Sequence, residues 1–68
     1  MAIANKLREI REAKGMTQEQ LSEISDVSRT TIVSLERNTA DVVKTDTLTK
    51  LADALKTPVN EIFFTQNV

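Results

Sequence analysis

Sixty-eight residues without a single cysteine or histidine allow neither disulfides nor the two commonest transition-metal ligands. A chain of this length buries only about 60% of its unfolded surface, so self-association is the remaining route to added stability. Nine Lys and Arg against ten Asp and Glu give a formal net charge of −1, which is not the strongly basic balance of a general nucleic-acid binder.

The distribution of charge is more informative than its total. Lys6, Arg8, Arg11 and Lys14 outweigh Glu9 and Glu12 over residues 1–15, whereas residues 16–27 carry only Glu19, Glu23 and Asp26. Residues 28–50 return to a slight positive excess through Arg29, Arg37, Lys44 and Lys50. A mixed or weakly basic face is compatible with this pattern. The N-terminus lacks the apolar core of a secretory leader, and no apolar run approaches bilayer length. The expected setting is cytoplasmic, with no membrane partner. Residues 1–68 read as one domain with a core over about residues 3–64 and a frayed C-terminal tail.

Glycine and proline occur once each, no segment alternates as a strand does, and the periodicity is helical. Ile3, Leu7 and Ile10 share one face of a first helix that ends near Lys14, with Gly15 suited to close it in a left-handed conformation. Thr17 opens a second helix, and Gln20 three residues later completes a capping box. Leu21 and Ile24 are its expected inward residues, and Ser22 is small enough for another helix to approach.

Ser25-Asp26-Val27 reads as a turn, and Ser28 caps a third helix whose Ile32 and Leu35 point inward. Asn38 suits a left-handed position after it. Residues 39–45 lack periodicity and read as a loop. Thr45 or Asp46 is the expected cap of a fourth helix, with Leu48, Leu51, Ala52 and Leu55 on one face. Pro58 forces Thr57 out of helical geometry and starts a short fifth helix running through Phe63. The expected fold is all-α, a compact five-helix bundle.

Two short helices joined by a tight turn, the second opening on a cap and exposed polar residues, is the layout that a reader of double-stranded DNA needs. The first helix crosses the backbone while the N-terminal end of the second enters the major groove. Helix N-termini, here at Thr17 and Ser28, present free amides and a positive dipole end that suit phosphate. Arg29 sits where a cation opposes the helix dipole, which favours a functional reason for it, such as paired hydrogen bonds to guanine. Val33 is either a contact for a thymine methyl group, a stray exposed valine or an intramolecular contact. Phe63 and Phe64 are adjacent and cannot both enter one small core. One packs inside; the other, with Val59 or Ile62, is a candidate exposed patch.

The string LREIREAKGMTQEQLSEISDVSRTTIVSLERN, followed by TLTKLADAL and TPVNEIF, resembles the lambda-repressor-like, Cro-type (Xre-like) helix-turn-helix regulators over nearly the whole chain. The resemblance implies that helices 2 and 3 form the helix-turn-helix. It implies base contacts from Arg29, Thr30 and Ser34, and phosphate contacts from Gln18, Thr31, Thr39 and Lys44, with Gln18 alternatively supporting a neighbouring reader. It implies a buried ion pair between Arg11 and Glu36, structural in role. It also implies a homodimer joined through the C-terminal helices, with Val59, Ile62, Phe63 and Phe64 as candidates. The chain departs from the family pattern at Asp26 and Asn38, where glycine is usual, and in the loop after Asn38, which lacks the usual proline.

Taken together, these readings point to a sequence-specific transcriptional regulator, repressor or autoregulator, acting as a homodimer on a roughly palindromic operator. No cofactor, metal site or small-molecule effector is implied, and RNA polymerase stays open as a further partner. A second reading keeps the fold as a protein-binding module, with Glu19, Glu23 and Asp26 as its acidic contact. An enzyme is the least supported class, because no nucleophile–base pair or phosphate loop can be assembled from these residues.

Overall fold

The computed structural model describes residues 3–37 and 43–65, with side chains at 5–37 and 43–63. Its elements in chain order are β1 (Ile3–Asn5), α1 (Leu7–Ala13), α2 (Gln18–Ser25), α3 (Arg29–Glu36), α4 (Thr45–Leu55), α5 (Val59–Ile62) and β2 (Phe63–Thr65). The five helices follow the expected order. A short antiparallel ribbon ties the two ends of the chain together, pairing Ile3 with Thr65, Ala4 with Phe64 and Asn5 with Phe63.

That ribbon corrects two expectations. Ile3 belongs to β1 and not to the first helix, and Phe63 opens β2 and does not continue the fifth. Isoleucine, phenylalanine and threonine favour extended backbone, but three-residue strands are too short to show alternation in sequence. Asn5 ends the strand two residues before the helix. Its Oδ1 accepts from the Leu7 amide at 3.1 Å, and its Nδ2 donates to the Leu35 carbonyl at 2.8 Å. The Lys6 amide then donates to the Ile62 carbonyl at 2.8 Å, fixing α1 against the end of α5.

Three helices end on a residue with left-handed backbone. At Gly15 (φ 70°) the Met16 amide reaches the Arg11 carbonyl at 3.1 Å and the Gly15 amide reaches Glu12 at 3.0 Å. This is the paired bonding of a Schellman motif. Lys56 (φ 52°) repeats it after α4, with the Thr57 amide on Ala52 and the Lys56 amide on Asp53, both at 3.1 Å. Asp26 (φ 60°) makes the simpler single bond, its amide to the Ser22 carbonyl at 3.0 Å. The capping box at Thr17 and Gln20 is formed in both directions. At α4 the N-cap is Lys44, without a side-chain bond, so neither Thr45 nor Asp46 caps the helix. Asp46 lies one turn before Lys50 and pairs with it at 3.5 Å on the exposed surface.

The core is assembled from Leu7, Leu21, Val27, Ile32, Leu35, Leu51, Ala52, Leu55, Ile62 and Phe63, drawn from the helices, the α2–α3 turn and β2. Leu48 and Val59 pack against it half-buried. Ile24 does not join them: it is 57% exposed, one turn beyond Leu21 on the outer side of α2. Among the described residues no helix is long and apolar enough to cross a membrane.

Candidate nucleic-acid interface

The relation between α2 and α3 is fixed by a three-residue turn, Asp26 to Ser28, in which most polar groups are spent locally. Ser22 Oγ donates to the Val27 carbonyl at 2.7 Å, and Ser25 Oγ donates to the Leu21 carbonyl at 2.6 Å. The Val27 amide reaches Ser25 Oγ at 3.3 Å, while the Val27 side chain is buried in the core. Asp26 takes the left-handed conformation that lets the chain reverse here. Aspartate tolerates that region better than most residues, so the turn forms without glycine.

Ser28 then caps α3 with extended backbone, its Oγ accepting from the Thr31 amide at 3.2 Å and lying 2.8 Å from Thr31 Oγ1. Ile32 and Leu35 turn into the core. With those positions inward, Arg29 and Thr30 are exposed at the N-terminal end of α3. Thr31, Val33 and Ser34 are half-buried, and Arg37 is exposed at the helix C-terminus. An open groove of about 540 Å³ runs between the starts of α2 and α3, lined by Arg11, Glu12, Thr17, Gln18, Glu19 and Arg29.

The groove rests on a polar network that joins three helices. Arg11 Nε donates to Glu36 Oε2 at 2.7 Å and Nη2 donates to Oε1 at 3.1 Å, a two-pronged pair between α1 and the end of α3. The two side chains are only 10% and 4% exposed. Arg11 Nη1 also donates to the Met16 carbonyl at 2.7 Å, which ties in the segment leading to α2. Gln18 Nε2, on the first residue of α2, donates to Glu36 Oε1 at 3.2 Å. Hydrogen bonding to Glu36 is the main cause that holds the Arg11 pKa above its already high ordinary value, and burial opposes it. No buried side-chain nitrogen or oxygen among the described residues lacks a partner.

The positions singled out in the sequence fall into three groups. Thr17, Gln18, Ser28, Arg29 and Thr30 lie around the adjoining starts of α2 and α3; Thr31, Val33 and Ser34 continue along α3. Lys44 is exposed at the N-cap of α4. Thr39, and with it Asn38, lies outside the described residues. The candidates for a dimer contact need correction. Ile62 is fully buried and Phe63 is 6% exposed, both in the core of the single chain, so neither offers surface to a partner. Phe63 is thus the inward phenylalanine; Val59 is half-buried, and the Phe64 side chain lies outside the described ones.

One link in this site carries no obvious sequence signal. The Gln18–Glu36 bond joins residues eighteen apart whose types are ordinary on any helix surface. Asn5, which anchors β1 to α3, does carry a faint one, since asparagine is a strong helix-capping residue just ahead of an apolar periodic run.

Residues 7–62 match the model of the helix-turn-helix family. No curated protein matches the chain. Among solved structures, the chain is similar to the restriction-modification controller protein C.AhdI from Aeromonas hydrophila. The two are 38% identical with a TM-score of 0.75, over 81% of this chain and 82% of that one.

Proposed function

Because this chain belongs to the lambda-repressor-like helix-turn-helix family of DNA-binding transcription regulators, we propose that it reads a specific duplex site as a homodimer, with α3 in the major groove. The observation that carries the proposal is the exposed N-terminal end of α3, where Arg29 and Thr30 project from a helix whose Ile32 and Leu35 are locked in the core. A rigid helix that offers a planar cation and a hydroxyl at its leading end has the chemistry for base edges: paired bonds to guanine from arginine, single bonds from threonine. Ser34, and Val33 through a thymine methyl group, extend the reading along α3. Thr17, Gln18, Ser28, Thr31 and Lys44 set the register on phosphate, together with the amide groups at the helix N-termini.

A two-fold dimer would place its two α3 helices about 34 Å apart, so the operator is roughly palindromic. The likeness to a restriction-modification controller protein favours a role in the control of a restriction-modification system. Arg29→Ala tests the base-reading assignment. It should cost about 1–3 kcal/mol of discrimination at one base pair of each half-site while leaving the thermal transition in place. Uniform weakening across all sequences would instead mark Arg29 as a phosphate contact.

A further inference from the structure

Gln18 lies at the junction of the buried pair and the open groove, and its geometry assigns Glu36 a task beyond holding helices together. A carboxylate only accepts hydrogen bonds, so the 3.2 Å contact with Glu36 Oε1 fixes the Gln18 carboxamide with its nitrogen towards Glu36. An amide nitrogen carries two hydrogens. One is used by Glu36; the other is the donor that the side chain retains at the first position of α2, beside backbone amides of the helix N-terminus. Left alone, a buried carboxylate beside this groove would repel a polyanion. Arg11 removes that obstacle by pairing with both of its oxygens.

We infer that Glu36 is a positioning residue for DNA binding: it holds Gln18 in a donor orientation towards a backbone phosphate, with Arg11 neutralising the carboxylate that does so. This rests on the proposed DNA-binding role. Because Gln18 is uncharged, its contact strengthens binding without displacing a counterion. Losing it weakens all sequences alike and leaves the salt dependence unchanged.

The test is a double-mutant cycle of Gln18→Ala, Glu36→Gln and the two combined. Duplex affinity is measured at a temperature where circular dichroism shows each variant folded. Glutamine at 36 has one carbonyl oxygen; turned to the shorter contact, 2.7 Å from Arg11 Nε, it leaves an amide nitrogen facing the Gln18 nitrogen, and the hold is lost. Each single variant should bind about tenfold more weakly than the wild type, the double variant no more weakly than either, and the salt slope should not move. A folded Glu36→Gln protein within twofold of wild type, or losses that multiply in the double variant, would overturn the inference while leaving DNA binding intact. A wild-type chain that binds no duplex overturns both. Should Glu36→Gln fail to fold, the side-chain amide protons of Gln18 in the free wild type decide the matter. One of the two amide protons is expected to exchange with solvent markedly more slowly than the other, and two protons that both exchange at the rate of a free side-chain amide contradict the inference.

Discussion

The left-handed positions separate backbone effects from packing effects one residue at a time. A Cβ placed on Gly15 meets nothing within 4 Å, so Gly15→Ala carries only the backbone penalty of φ 70°. We expect it to lower stability by about 1–2 kcal/mol. Lys56 adopts φ 52° with a side chain that lies in solvent, and Lys56→Gly should raise stability by about 1 kcal/mol, near 4–8 °C in melting temperature. Asp26→Gly should gain less, because aspartate already tolerates the region. Thermal unfolding of the three variants checks the order, and a Lys56→Gly protein no more stable than the parent would contradict it.

Glu36 belongs to the same scale. Glu36→Ala leaves the Arg11 guanidinium charged and without its carboxylate in a site where that side chain is only 10% exposed. Removing one partner of such a pair costs about 3–5 kcal/mol, comparable with the whole stability of a domain this small. A melting temperature unchanged in that variant would show that the pair contributes little. Since the Arg11 pKa is raised and not lowered, its charge, and the stability it brings, is lost only as pH climbs beyond the ordinary arginine range. The guanidinium therefore does not act as a neutral-pH switch.

At the scale of elements, α2 shows how local chemistry sets a boundary. Thr17 Oγ1 accepts from the Gln20 amide at 3.0 Å, and the Gln20 side chain accepts from the Thr17 amide at 2.9 Å. Thr17→Ala should cost about 1 kcal/mol in unfolding free energy. Thr17→Ser, which keeps the acceptor, should cost less than half of that. Equal losses would mean that the methyl group and not the hydroxyl matters.

The helices with strong caps or long apolar faces were legible in the sequence: α2 from its capping box, α3 from Ser28 with Ile32 and Leu35, α4 from Leu51, Ala52 and Leu55. What was not legible depended on distant partners. Ile3 reads as helical because it falls four residues before Leu7, yet pairing with Thr65 decides its conformation. Ile24 reads as inward from its spacing to Leu21, yet it is exposed, and among the described residues no element covers that side of α2. Within the candidate site, residue types identify Arg29 and Thr30. The link from Gln18 to Glu36 exists only once three helices have packed.

For the whole molecule, exposed cations are few around the groove and along α3. Arg29 and Arg37 are exposed on α3 and its C-cap and Lys44 stands at the start of α4, while Arg11 is taken up by its ion pair. Binding should therefore weaken only moderately with salt. The slope of log affinity against log salt should stay well short of the roughly −9 that ten neutralised phosphates would give. Sedimentation at tens of micromolar should show a dimer, and a monomer there would remove the basis for a symmetric operator. With Ile62 and Phe63 committed to the core of each chain, that dimer has to form without them.

The most direct test of the central claim is selection from a pool of randomised duplex DNA near physiological salt, followed by sequencing of what the chain retains. Enrichment of a two-fold symmetric motif with half-sites one helical turn apart is expected, with loss of preference at one base of each half-site when Arg29 is replaced by alanine. A folded chain that enriches no motif would contradict that claim, and would turn attention to a protein partner for the exposed acidic face of α2.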